Sequence, residues 1–329
     1  MKNPLLRRSR AYPLELIVDI HSYCNARCTM CPYPRYSRQQ SQGQMEWSLY
    51  QRIVDEFARL GREHKFRPRM TYCYMSEPFV ADDLPRYVKY ALEHDIEVYL
   101  NTNAGAMTAE KVDALLETGF QGFINISFHG VTPKVYERIT GLEYQLSLKN
   151  TLYLLGKYDS QHVRIRGVDD SWPDGEKDLW FTFWQEKKVQ LEYLPPISRC
   201  GAIGRIWNKA RGKSEGEKVK KDRLYGCRCN LPLCQMVILF DGQAVMCCQD
   251  MGRELIWGDV GKEGIEKVWN GPVRKEAVNQ LYTGAVLPEK FLCCRCEEAL
   301  DLGGMFKSLC TGVWHKVARI KNKSRAAIW

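Results

Sequence analysis

The chain has 329 residues, 45% of them apolar, with 14 cysteines and a net charge of +9. That length and apolar content exclude a disordered chain and a small disulfide-stapled scaffold, and no run is long and apolar enough to span a bilayer. The basic excess gathers at 2–10, 209–223 and 315–325. It reads as solvated ends, or as a tail that touches an anionic surface, and no nucleic acid is expected as a partner. Glu15 and Asp19 interrupt what would be the apolar part of a signal peptide, so a cytoplasmic location is expected.

In chain order, residues 14–20 predict a first strand. The stretch 47–60 repeats apolar residues at Leu49, Ile53, Phe57 and Leu60, a helical period. Residues 70–75 predict the second strand and 84–92 its helix. The third strand is expected at 96–100, followed by a helix over 109–116 that Gly119 stops. Three more strands are expected at 123–128, 163–166 and 189–194. Repeated strand-then-helix units imply a parallel sheet with helices outside. The expected fold class is α/β, a partial (β/α)6 barrel over 14–202 behind a basic extension at 1–13. In such barrels the chemistry lies at the C-terminal ends of the strands. A lysine-rich stretch at 203–225 reads as a linker. Beyond it, 235–240, the turn Asp241-Gly242 and 243–246 predict a hairpin, and 265–269 and 273–281 predict helices. This makes 226–302 a small cysteine-rich domain and 303–329 a basic tail.

The cysteines fall in two groups, at 24–31 and 227–296, with Cys73, Cys200 and Cys310 apart. In a reducing compartment, grouped cysteines point to metal. Cys24, Cys28 and Cys31 have the spacing C-x3-C-x2-C just after the first expected strand. Three thiolates on one loop hold three irons of a cubane and leave the fourth iron without a protein ligand. That iron is then open to a small molecule, as in catalytic metal sites. A zinc site that includes His21 is the alternative.

The loop and its placement resemble the radical S-adenosylmethionine (SAM) superfamily. The resemblance implies a catalytic [4Fe–4S] cluster on Cys24, Cys28 and Cys31, with SAM chelated at the open iron. An electron from the cluster then cleaves SAM to methionine and a 5′-deoxyadenosyl radical, which takes a hydrogen atom from substrate. The protein's share is positioning and seclusion. Three further stretches are similar to the family's strand-end motifs: Met75-Ser76-Glu77-Pro78, Asn101-Thr102-Asn103-Ala104 and Ser127-Phe128-His129-Gly130. They imply that Glu77 accepts a hydrogen bond from the SAM amino group. Asn103 then belongs to the same pocket, and Ser127 meets the SAM ribose or carboxylate. Met30 stands where the family often places an aromatic residue near the adenine. Met75, Ser76 and His129 depart from the family pattern, and His129 is as readily an ordinary loop histidine as a catalytic one.

In the second group, Cys229 precedes Cys247 by eighteen positions, with Gly242-x4-Cys247 inside that interval, and Cys293 and Cys296 form a C-x2-C. Trp257-Gly258-Asp259-Val260 and Lys267-Val268-Trp269-Asn270 lie between them. The arrangement resembles the auxiliary-cluster domains called SPASM and twitch. It implies a second [4Fe–4S] cluster on Cys229, Cys247, Cys293 and Cys296, with Cys234 the rival for the first position. Cys227, Cys248 and Cys294 are close neighbours in sequence and leave the ligand set open. A four-cysteine zinc site is the alternative. Four thiolates close a cubane to direct substrate binding, which suits electron transfer.

The function implied is oxidation of a small polar molecule, such as a sugar or aminocyclitol. The auxiliary cluster then accepts the second electron, and an external flavodoxin- or ferredoxin-type protein supplies the first. The cysteine spacing is especially similar to that of twitch-bearing aminocyclitol dehydrogenases. Maturation of a peptide or protein is one alternative. Only 1–13 precedes the first strand, which is expected to leave no room for the leader-binding domain that peptide enzymes often carry. Epimerisation with a cysteine hydrogen donor is another, with Cys73 and Cys200 as candidates near strand ends, although a buried cysteine is more commonly inert. Arg199, after the sixth strand, is a candidate to orient an anionic substrate or assist proton loss, against a plain salt bridge. A bare iron–sulfur or zinc protein is the non-enzymatic reading, and it has no use for Glu77, Asn103 and Ser127.

Overall fold

The computed structural model describes residues 9–206, 229–283 and 291–296. The linker expected at 203–225, Cys227, Cys310 and the tail expected at 303–329 lie largely or wholly outside those residues.

Nine strands form one sheet: β1 Glu15–Val18, β2 Arg69–Tyr72, β3 Glu97–Thr102, β4 Ile124–Ser127, β5 Val163–Val168, β6 Gln190–Leu194, β7 Gln235–Ile238, β8 Gln243–Val245 and β9 Ile256–Asp259. Their spatial order is β6-β5-β4-β3-β2-β1-β7-β8-β9. The six expected strands are present, each parallel to its neighbour. β6 and β9 are the two edges, so the barrel is open. The expected hairpin is β7 and β8, antiparallel through Val237↔Val245, with Gly242 at φ +87° in its turn. It does not stand apart from the barrel. β7 pairs in parallel with β1, from Glu15↔Gln235 to Val18↔Ile238. The C-terminal region therefore supplies the partner that the β1 edge would otherwise lack.

Among the described residues seven α-helices lie between β1 and β6: α1 Tyr33–Tyr36, α2 Trp47–His64, α3 Leu84–Glu93, α4 Ala109–Glu117, α5 Pro133–Thr140, α6 Tyr144–Lys157 and α7 Glu176–Gln185. α2 buries Leu49, Tyr50, Ile53, Val54, Phe57 and Leu60, the stripe its period predicts. The Thr108 side chain caps α4, and Gly119 follows it in the left-handed region at φ +82°. Alternate strand residues Leu16, Val18, Met70, Tyr72, Val98, Leu100, Ile124, Ile126, Val163 and Ile165 pack into one core with these helices.

Helices α5, α6 and α7 lie outside the sequence expectations, although α5 buries a regular stripe of Val135, Tyr136 and Ile139. α6 inverts the usual pattern: Ser147, Asn150 and Thr151 are buried while Leu146 and Leu152 are exposed. Two of these polar side chains bond internally. Asn150 donates to the Ala104 carbonyl at 2.8 Å, and Thr151 to the Ser147 carbonyl at 2.8 Å. In α7, Trp180 and Trp184 are buried, and the Trp180 indole donates to the Phe128 carbonyl at 2.8 Å.

The approach of β4 to β3 depends on one glycine. A Cβ on Gly122 would sit 1.7 Å from the Val98 carbonyl oxygen, a backbone atom with no freedom to turn aside. Gly122→Ala is expected to lower unfolding stability by about 1–3 kcal/mol or more, the range for overpacking. Gly156→Ala in α6, where a Cβ meets nothing within 4 Å, is the control. It should leave stability unchanged or raise it by up to about 1 kcal/mol. Urea unfolding of both variants checks this, and equal midpoints would show that the β3–β4 approach can relax.

Candidate active site and second cysteine site

The loop carrying Cys24, Cys28 and Cys31 leaves β1 at its C-terminal end and is pinned to α5. The Arg27 N–H donates to the Thr140 carbonyl and the Thr29 N–H to the Ile139 carbonyl, both at 2.8 Å. Backbone donors face the sulfurs: Ala26 N–H to Cys24 Sγ and Tyr33 N–H to Cys31 Sγ, both at 3.5 Å. The Asn103 amide adds a contact to Cys24 Sγ at 3.8 Å. Burial pushes the Cys24 thiol up to about 12, and Cys28 and Cys31 also rise, first by burial. Mutual repulsion of the thiolates adds to this at Cys24 and Cys28. Three half-buried thiols that resist joint ionisation, two of them faced by N–H donors, suit a cationic iron cluster, which relieves that repulsion.

Glu77, Asn103 and Ser127 stand where their strand-end positions predict. Glu77 is buried and its carboxylate is already engaged. It accepts from Thr102 Oγ1 at 2.6 Å, Asn103 N–H at 2.7 Å and Phe79 N–H at 3.2 Å. A carboxylate offers about four acceptor positions, so about one is left. Burial raises Glu77 to about 7, against the pull of those three bonds. The Asn103 amide donates to Asn25 Oδ1 at 2.9 Å, which ties the β3 end to the cysteine loop. Ser127 closes β4, opposite Arg166 of β5. Met30 packs with Val135 and Ile139 of α5 and with Ile206. His129 accepts the Val168 N–H on Nδ1 at 3.1 Å, and burial holds it down at about 4. It is therefore neutral near pH 7, with its proton on Nε2.

Some residues of this site carried no expected role. Thr102, within the motif after β3, holds Glu77, and Asn25, between Cys24 and Cys28, holds Asn103. Asp19, just past β1, is buried and hydrogen-bonded by Ser76. Burial raises its carboxyl to about 8. The strand end was its one signal.

The sheet face away from the helices carries paired polar groups beside an apolar cluster that includes Ile17, Val237 and Val245. Glu15 of β1 accepts from Thr71 of β2 at 2.7 Å and Gln235 of β7 at 2.9 Å. Arg69 meets Glu97 at 3.0 Å. Asn125 of β4 donates to Asn101 of β3 at 2.8 Å and accepts from Arg164 of β5 at 3.4 Å. Arg164 also reaches Gln190 of β6 at 3.0 Å, and Arg166 pairs with Glu192. Cys73 sits on this face beside Asn101, and burial pushes its thiol up to about 12, so it keeps its hydrogen at neutral pH.

The second cysteine group draws in one residue from outside it. Cys247, Cys293 and Cys296 are buried in the main core. Cys200 is buried in the same core. Cys229 is half-buried, and its carbonyl accepts the Tyr282 hydroxyl. The Cys234 thiol back-bonds within its own short helix, to the Asn230 carbonyl at 3.3 Å. Arg199 lies between the two cysteine groups. It donates to Gln249 at 3.0 Å, its charge bears on Cys31 and His129, and its buried Nε has no partner among the described residues.

Among the described residues no three His, Cys, Asp or Glu side chains stand close enough to share a single metal ion. A zinc ion needs its thiolates within about 2.3 Å. A cubane binds each thiolate on a different iron, and so accepts sulfurs set wider apart. The donor sets fit clusters better than zinc. No helix among the described residues is long and apolar enough to cross a membrane.

Comparison with known proteins adds the following. The family model of the radical SAM superfamily matches residues 18–170, and that of the SPASM iron-sulfur cluster-binding domain matches 227–297. The chain is 21% identical to an S-adenosyl-L-methionine-dependent 2-deoxy-scyllo-inosamine dehydrogenase of Niallia circulans, over 77% of this chain and 80% of that one. Streptococcus suis SuiB bound to precursor peptide SuiA is similar in structure, with a TM-score of 0.64 and 15% identity, over 91% of this chain and 72% of that one. BtrN in complex with AdoMet and 2-DOIA gives a TM-score of 0.54 and 18% identity, over 82% of this chain and 87% of that one. At such identities the structural likenesses speak for the fold.

Proposed function

The chain is a radical SAM superfamily enzyme with a C-terminal SPASM iron–sulfur cluster-binding domain, and from that premise we propose that it oxidises a small polar molecule held on the polar inner face of its sheet. The family's cofactors are a [4Fe–4S] cluster with SAM and an auxiliary iron–sulfur site. When bound, they supply the electron that splits SAM, the 5′-deoxyadenosyl radical that takes a hydrogen atom from substrate, and an acceptor for the electron left behind. Cys24, Cys28 and Cys31 would hold the first cluster. Cys247, Cys293 and Cys296 would hold the second, with Cys229 or Cys234 as the sequence's candidates for a fourth ligand. Glu77 would use its remaining acceptor position for the SAM ammonium.

The observation that carries the reading is the hydrogen-bonded polar lining from Gln235 and Glu15 across to Gln190 and Glu192. These groups already bond one another, and the acceptor positions their carboxylates and amides keep in reserve would lose water to an apolar substrate without gaining a bond. A molecule rich in hydroxyl or amino groups exchanges bonds instead. Arg199, between the two cysteine groups with a buried unpartnered Nε, would orient that substrate. Likeness to SuiB, a structure solved with its precursor peptide, favours peptide modification as the second reading.

The test is incubation of anaerobically reconstituted protein with SAM, reductant and ring-deuterated aminocyclitols or sugars. Deuterium should pass into 5′-deoxyadenosine, and the product should have lost two hydrogens. Arg199→Ala should lower kcat/KM by about 10- to 100-fold, as for a lost hydrogen bond to a charged group. Deuterium transfer only from peptides would move the protein to the second reading.

A further inference from the structure

β1 alternates between two faces. Leu16 and Val18 pack into the main core, while Glu15 bonds across the inner face and Ile17 packs there with Val237. Asp19 continues that inner row. Its N–H donates to the Ile238 carbonyl at 2.9 Å, so the ladder and its alternation run one residue past the strand. Its carboxyl therefore stands at the C-terminal end of the barrel, where the chemistry of such folds lies.

Asp19 is 1% exposed, and the Ser76 hydroxyl donates to its Oδ1. Ser76 is one of the residues that depart from the family's strand-end motif. Among the described residues Asp19 has no ion pair. Arg253, whose charge reaches it, meets Asp241 instead, at 3.6 Å. Tyr33, Tyr74, Cys73 and Cys24 are the other titratable groups that feel its charge. The remaining acid–base groups of the inner face are occupied. Glu97 and Glu192 pair with Arg69 and Arg166, and Glu15 accepts from Thr71 and Gln235. His129 spends its basic nitrogen on the Val168 N–H, and Cys73 keeps its hydrogen.

We propose that Asp19 is the proton acceptor of the oxidation, with Ser76 positioning its carboxylate. The inference rests on reading the inner face as the seat of a small polar molecule, here one that carries a CH–OH group. Its loss of two hydrogens takes three transfers. The C–H bond breaks and its hydrogen atom goes to the 5′-deoxyadenosyl radical. The O–H bond breaks, its proton goes to Asp19 and the C=O bond forms. The one electron left over passes to the oxidised auxiliary iron–sulfur cluster. Asp19 afterwards gives its proton to solvent. Burial raises the Asp19 carboxyl to about 8 against the pull of the Ser76 bond, close to working pH, where a general base serves best.

The experiment compares full-length, anaerobically reconstituted wild type and Asp19→Asn, at saturating SAM, with reductant and ring-deuterated aminocyclitols and sugars. Deuterated 5′-deoxyadenosine and oxidised product are counted separately. Wild type should give them in step. Asp19→Asn should go on transferring deuterium while product falls by about 100-fold, the lower end of a general base's share. An aspartate that merely holds the fold would take both signals down together. Asparagine still accepts from Ser76 and removes a charge that burial opposes, so iron content, SAM affinity and melting should match wild type. Product formation by wild type should rise as pH passes up through about 8, where the carboxyl ionises, and the rise should be absent in Asp19→Asn. Ser76→Ala removes a bond that favours the ionised form, so it should move the rise to higher pH, whatever the stability of the first variant. Wild-type oxidation by Asp19→Asn, parallel loss of both signals, or an unmoved rise in Ser76→Ala overturns the proposal. Deuterium transfer from none of these molecules by wild type sinks the small-molecule reading itself, and the proposal with it.

Discussion

Replacing Cys24, Cys28 and Cys31 together by alanine is expected to abolish 5′-deoxyadenosine formation from SAM, and to lower iron from about eight to about four per chain. The largest effect falls on these three residues because no neighbour can stand in for them. They occupy one loop fastened to α5, and backbone N–H groups face two of their sulfurs. The scaffold should survive the change. Alanine removes three half-buried thiols whose ionisation burial opposes, and it leaves the Arg27 and Thr29 backbone bonds intact. Iron and sulfide analysis with chromatography of the SAM products checks both parts. Continued reductant-dependent 5′-deoxyadenosine in the triple variant would disprove the catalytic assignment.

Glu77→Gln is expected to weaken SAM binding at about pH 8 by roughly 10- to 100-fold, the scale of a lost charge-assisted hydrogen bond. The wild-type carboxyl is raised to about 7 by burial, so wild-type affinity should fall as pH drops below about 7. The glutamine variant should lack that dependence. Stability carries a second signature. The folded value lies above the ordinary 4.5, so between the two the folded chain holds a proton that the unfolded chain has released. The favourable contribution is complete below about 4.5 and is lost as pH rises through about 7, a difference of roughly 3 kcal/mol. The variant should therefore lose less stability than wild type between about pH 5 and pH 8. Asp19 has the same sign but is common to both proteins, so the difference reports Glu77. Calorimetric SAM titrations and urea unfolding at both pH values decide the matter. Equal SAM affinity with an equal pH slope would remove Glu77 from the SAM pocket.

The catalytic loop and the strand order of the barrel were legible because both are local signals. A C-x3-C-x2-C loop after a strand announces its chemistry by spacing alone, and apolar runs of strand length announce a parallel sheet. The same locality explains what was missed. α6 buries Ser147, Asn150 and Thr151 and leaves two leucines in solvent, and Asn150 and Thr151 find their hydrogen-bond partners in Ala104 and in the helix itself. No periodicity rule sees a face that is buried and polar. Thr102 and Asn25 likewise act through Glu77 and Asn103, partners that lie far from them in sequence.

By itself the sequence determined the chemistry carried on single loops: the three-cysteine motif, the strand-end Glu77, Asn103 and Ser127, and the hairpin turn at Asp241-Gly242. Tertiary structure alone decided what those pieces meet. It joined the hairpin to β1 as a continuation of the barrel sheet, because a parallel edge strand satisfies its backbone groups with whatever strand the topology delivers. It also buried Cys200, at the end of the barrel, in the same core as Cys296, almost a hundred residues away. Cysteine spacing records only neighbours along the chain, whereas a cluster site selects sulfurs by their distance in space.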